Sequence, residues 1–113
     1  MMRLVLVGTS HHHAPVEIRE RVALDPTEGA ALAARLGEAV CLSTCNRTEI
    51  YVAAEDADAA EEQAVAALAA LEPDVEQALY RLRDQAAALH LFRVAAGLDS
   101  LVPGEGEILG QVR

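Results

Sequence analysis

Cys45 sits in the stretch 41–51, Cys-Leu-Ser-Thr-Cys-Asn-Arg-Thr-Glu-Ile-Tyr, with Thr44 and Asn46 on either side and Arg47 two residues on. A thiol attacks as its thiolate, and a nearby cation or exposed backbone donor makes that form accessible near neutral pH. Apolar runs at 39–43 and 50–54 flank this polar corner. The few residues between them predict a tight hairpin with Cys45 in the bend. Cys41 lies inside an apolar run, where a cysteine is ordinarily a small buried hydrophobe. The same structural role is the bland alternative for Cys45, whose polar neighbours set it apart.

The elements that must position this thiol can be read in order. Residues 3–7 form a short apolar strand ending at Gly8, and a polar loop from Gly8 to Pro15 carries His11, His12 and His13. Three adjacent histidines cannot all aim at one ion from a regular element, and no Cys or Asp pair completes a set, so no metal is expected. Pro15 opens a short helix through Val22. Asp25-Pro26-Thr27-Glu28 is a capping box with proline at the first helical position, and its helix runs to Gly37. After the hairpin, Asp58-Ala59-Ala60-Glu61 reads as a second capping box. It starts an Ala-rich helix to Leu71 whose Ala64, Leu68 and Leu71 face a sheet. Residues 74–78 add a helical turn, and 79–83 alternate as a fourth strand with Tyr80 and Leu82 inward. Asp84 is expected to cap a helix from Gln85 to about Ala96, closed by Gly97. A turn at 103–106 leads into one more amphipathic helix through Ile108, Leu109 and Val112, at whose uncapped end the sequence stops, as in an excised piece of a longer protein.

This order is β-α-β-β-α-β with inserted helices and a truncated one at the C-terminus. It is an α/β (α+β) arrangement of the ferredoxin-like, split-βαβ kind, in a single domain covering 1–113. In that topology the first two strands run parallel and end at one edge. The histidine loop then comes beside the Cys45 corner, and the helix after strand four returns towards it with His90 and Arg93 on one face.

The totals set outer limits. The net charge is −9, and eight acids fall between residues 55 and 76 with no basic residue among them. The remaining ten acids nearly balance nine Arg, so the charge excludes a broad basic saddle for nucleic acid while leaving room for a local anion site. The acidic stretch is expected to form a solvated helix face. No signal peptide and no run near the ~20 residues of a membrane span is present, and two close cysteines make no secreted disulfide framework. A cytoplasmic chain with no membrane partner is the expectation.

Three separated motifs carry a resemblance. Gly8-Thr9-Ser10-His11-His12, Ser43 through Glu49, and Ser100-Leu101-Val102-Pro103-Gly104-Glu105 with Ile108 through Val112 closely resemble the N-terminal domain of glutamyl-tRNA reductase, in the right order and across the whole chain. The resemblance implies an enzyme that reduces glutamyl-tRNA with NADPH to glutamate-1-semialdehyde, the entry to tetrapyrrole synthesis. It implies Cys45 as the nucleophile that takes the glutamyl group from the ester, and His90 as a residue important for activity. Thr44, Asn46 and Arg47 match the substrate-recognition stretch, with Arg47 suited to pair a carboxylate. Ser100, Glu105, Gly106, Glu107 and Gln111 match further substrate-binding positions. An ester is already activated, and a thioester accepts hydride far better than a carboxylate does, so this chemistry suits a thiol.

The chain departs from the family at Glu107, where the family usually has Gln; a carboxylate there cannot donate a hydrogen bond to an anionic substrate. No Gly-rich dinucleotide fingerprint is present; the resemblance implies NADPH-binding and dimerisation domains beyond residue 113, with homodimerisation through C-terminal helices and a downstream aminomutase as partner. This fragment is therefore expected to bind and acylate without reducing. The competing reading is a ferredoxin-like ligand-binding module in which Cys45 is structural.

Overall fold

The structure, a computed structural model, describes residues 1–97. Ser100, Glu105, Gly106, Glu107 and Gln111, the turn at 103–106 and the last amphipathic segment lie outside the described residues. The elements are β1 (Arg3–Ser10), α1 (Val16–Arg21), α2 (Pro26–Leu36), β2 (Glu38–Ser43), β3 (Arg47–Ala54) and α3 (Ala57–Leu71). A short 3-10 helix (Pro73–Ala78), β4 (Tyr80–Arg83) and α4 (Asp84–Ala95) complete the series.

The four strands make one sheet in the order β2-β3-β1-β4, with every neighbouring pair antiparallel. β1 and β2 therefore point the same way with β3 between them, and β3 and β4 are likewise split by β1. This is the expected split-βαβ sheet. Strand alternation gives the sheet two apolar faces. Val5, Val7, Ile50 and Val52 pack under Leu32 of α2 and Ala57, Ala60, Ala64 and Leu68 of α3. Leu6, Leu42 and Tyr51 face the other way, against Ala87 and Val94 of α4. The small alanines let α3 lie close to the sheet, and a fully buried leucine such as Leu68 contributes about 2 kcal/mol.

The strands reach further into polar sequence than apolar alternation predicts. β1 continues through Gly8, Thr9 and Ser10, and β3 begins at Arg47, because these residues pair with one another: Gly8 with Glu49, Thr9 with Thr48, Ser10 with Arg47. Gly8 is required at its place. A Cβ there would meet Glu49 Cγ at 2.8 Å and the Thr48 carbonyl oxygen at 2.9 Å. Asp25 and Glu28 form the expected reciprocal cap of α2, and Gly37 ends it with a positive φ of 99°.

Other expectations about helix ends are corrected. The cap of α3 is Asp56, whose carboxylate accepts from Ala59 N, and not Asp58. Asp58 and Glu61 instead pair with Arg83. Asp84 does not cap α4: it has a positive φ of 53°, and its carboxylate takes Arg3 and the Leu4 amide. Leu71 is exposed, since the buried stripe of α3 runs through Ala57, Ala60, Ala64 and Leu68. The acidic stretch is not uniformly solvated either, for Glu72 is buried and bound by Arg21 at 2.6 Å.

Candidate active site

The end of the sheet where β1 and β2 finish and β3 starts gathers the residues of interest. Cys45 is exposed in the three-residue connection between β2 and β3. Its turn is held from several sides. Thr44 N donates to the Arg47 carbonyl at 2.8 Å, and Asn46 N donates to Thr44 Oγ1 at 3.2 Å. His11 N donates to the Asn46 carbonyl at 2.8 Å, and Arg19 Nη1 of α1 donates to the Cys45 carbonyl at 3.1 Å. The histidine loop thus lies against the Cys45 corner, as the parallel β1 and β2 require. Ser10 ties that loop down by accepting from the amides of His13 and Ala14, and its Oγ accepts from the His12 amide.

Behind the turn, on the first residues of β3, lies a buried polar cluster centred on Glu49. Its side chain has no accessible surface. Tyr51 Oη donates to Oε1 at 2.8 Å, and Tyr80 Oη donates to Oε2. His90 Nε2 of α4 lies 2.6 Å from the same Oε2, and Arg47 Nη1 lies 3.5 Å from it. Burial pushes the Glu49 carboxyl up, but the hydrogen bond and charge of His90 and the two tyrosine hydroxyls outweigh it and hold the group below its usual range. Glu49 is therefore an acceptor only, which places the proton of the His90 contact on Nε2. Burial, followed by the charge of Glu49, raises both tyrosines well above the ordinary phenol, so they remain donors. The rings of His13, Tyr80 and His90 follow one another in a row, with centroids 4.8 and 5.2 Å apart.

The expected site residues are distributed as follows. Thr44, Cys45 and Asn46 share the turn, with Asn46 buried and Cys45 outward. Arg47 is 1% exposed and takes part in the Glu49 cluster, while His90 reaches that cluster from α4 as the returning helix predicts. Arg93, one turn on, is exposed. Glu49, Tyr51, Tyr80 and Arg19 were not among the sequence candidates. Continuing the alternation of β3 backwards from Tyr51 puts Glu49 on the α4 face, and a carboxylate on a buried face demands partners. Arg19 left no such signal. Among the described residues no group of three or more His, Cys, Asp or Glu is placed to hold a metal ion.

A split-βαβ sheet with an exposed, hydrogen-bonded cysteine turn at one end defines the class of this protein: a ferredoxin-like α+β domain built around a presented thiol. Comparison with known proteins specifies it. The family model described as "Glutamyl-tRNAGlu reductase, N-terminal domain" matches residues 7–113. A glutamyl-tRNA reductase of Thermus thermophilus is 54% identical over 112 residues, covering 97% of this chain and 27% of that protein. Glutamyl-tRNA reductase of Marinobacter nauticus is 48% identical over 121 residues, covering 99% of this chain and 28% of that protein. The solved structure of glutamyl-tRNA reductase from Methanopyrus kandleri superposes with a TM-score of 0.72 at 38% identity, over 96% of this chain and 26% of that one. The chain belongs to the family of glutamyl-tRNA reductase N-terminal domains. It spans little more than a quarter of the length of these relatives.

Proposed function

We propose that this chain is the thiol-bearing substrate domain of a glutamyl-tRNA reductase. The observation that supports it best is the exposure of Cys45 on a turn whose backbone is fixed by Arg19, His11, Thr44 and Arg47. The Cys45 sulfur, as thiolate, attacks the carbonyl carbon of the glutamyl ester; a C–S bond forms, the ester C–O bond breaks, and the tRNA leaves with the proton on its ribose hydroxyl. Thr44, Asn46 and Arg47 shape the floor on which the glutamyl group lies, and His90, tied through Nε2 to Glu49, packs behind that floor. Ser100, Glu105, Gly106, Glu107 and Gln111 are assigned to substrate binding through the family motifs.

NADPH supplies the hydride that takes a thioester to an aldehyde. The described residues do not fit it: no Gly-rich turn joins a strand to a helix, and Gly8 is consumed by close strand packing against Glu49. No step through the nucleotide is derived for them. On this reading the reductive half, homodimerisation and hand-over of the semialdehyde to an aminomutase belong to domains outside this chain, and the location is the cytoplasm. No described helix is long and apolar enough to cross a membrane.

The test is a trapping experiment. The chain is mixed with glutamyl-tRNA without NADPH, quenched in acid and digested. A glutamyl adduct on the Cys45 peptide is expected, absent from Cys45→Ser. A chain that never acylates, or acylates equally in Cys45→Ser, sinks the reading.

A further inference from the structure

Arg19 differs from the other arginines packed into this fold. Arg3 is matched by Asp84, Arg21 by Glu72, Arg47 by Glu49, and Arg83 by Asp58 and Glu61. Arg19 binds a backbone oxygen instead, the Cys45 carbonyl at 3.1 Å. Among the described residues no carboxylate lies within ion-pairing distance of it, and its buried Nε has no hydrogen-bond partner. Among the described residues, then, a positive charge without a counter-ion stands at the thiol turn of a domain whose net charge is −9. Arg47, nearer in sequence, is the less suitable cation, because its side chain is 1% exposed and paired with the buried Glu49.

We propose that Arg19 is the positioning residue of the Cys45 turn and the cation that gives this thiol its preference for anionic reaction partners. The assignment rests on Cys45 being the nucleophile. The guanidinium acts in two ways. Its hydrogen bond fixes the carbonyl of the residue that carries the sulfur, which limits the directions in which the thiol can point. Its charge, unmatched by any carboxylate among the described residues, raises the local concentration of an anionic electrophile, a class that includes an acyl group delivered on a polyanionic carrier. The domain would otherwise repel such a carrier, given the acids between residues 55 and 76.

The experiment compares two alkylating reagents of nearly equal size, anionic iodoacetate and neutral iodoacetamide, and follows modification of the Cys45 peptide by mass spectrometry at low salt. The ratio of the two rate constants cancels general effects on thiol reactivity and reads local charge. Arg19→Gln is expected to lower the ratio of acetate to acetamide about three- to tenfold, the effect of one charge several ångströms away. Arg19→Lys is expected to keep most of the ratio. Arg35→Gln, which removes an exposed charge at the far end of α2, is expected to leave it unchanged. Circular dichroism checks that each variant is folded, and Arg19→Met, which keeps the aliphatic stem, serves if the amide does not fold. A fast Cys45 whose ratio ignores Arg19→Gln, or falls equally in Arg35→Gln, overturns this assignment alone. A parent chain in which Cys45 reacts no faster than Cys41 overturns the nucleophile reading as well.

Discussion

Glu49 and His90, 41 residues apart, meet with Oε2 and Nε2 separated by 2.6 Å, inside a site where the carboxylate has no accessible surface. A buried carboxylate persists only where donors replace its lost hydration, and here two phenols, an imidazole and a guanidinium do so. Glu49→Gln keeps the shape but removes the charge and offers donors where acceptors are needed. A destabilisation of about 2–4 kcal/mol is expected by urea unfolding. A cost under about 0.5 kcal/mol would mean that the cluster does not support the fold.

Acid should weaken the domain through the same carboxylate. The folded state holds Glu49 below its unfolded value, which is about 4.3. The contribution is then complete above that pH and is lost as the pH falls through the lower, folded value. Glu72, through the Asp74 amide and Arg21, and Asp84, through Arg3, shift in the same direction. Urea midpoints measured from pH 7 down to 3 should decline, and Glu49→Gln should decline less steeply. Parallel curves for parent and variant would count against the assignment.

Gly8→Ala tests the closeness of β1 and β3. The added methyl would press on Glu49 Cγ and on the Thr48 carbonyl, and the backbone oxygen cannot move without loosening the sheet. A loss of about 1–3 kcal/mol is expected, seen as a lower melting temperature. Acylation of Cys45 should fall with it, since the shift reaches the start of β3. An unchanged melting temperature would show that the strands part more easily than this packing implies.

The two thiols should separate cleanly on chemical labelling. Burial pushes the Cys41 thiol up and leaves it only partly accessible, whereas Cys45 is exposed. Iodoacetamide near neutral pH is expected to modify the Cys45 peptide first, with Cys41 following slowly or only on unfolding. Equal rates would count against Cys45 as the nucleophile.

Much of this architecture was legible in the chain because it is written in local patterns. The Asp25-to-Glu28 cap, the end of α2 at Gly37, the placing of Ile50 and Val52 opposite Tyr51, and the return of α4 towards the Cys45 corner all follow from spacing and topology. What escaped depends on distant partners. Arg47 and Glu49 belong to a polar stretch of the sequence, and only the fold brings Tyr80, 31 residues on from Glu49, and His90 to the Glu49 carboxylate. Asp84 looked like a helix cap until Arg3, 81 residues before it, claimed its carboxylate. In each case the local sequence names no partner, and a distant residue supplies one.

The hydrogen bonds that clasp the Cys45 loop have a thermodynamic corollary. Most backbone freedom around the sulfur is surrendered when the sheet assembles, not when an electrophile docks. On the proposed reading, an incoming acyl group meets a reagent already aimed, so its binding energy need not organise the reagent first.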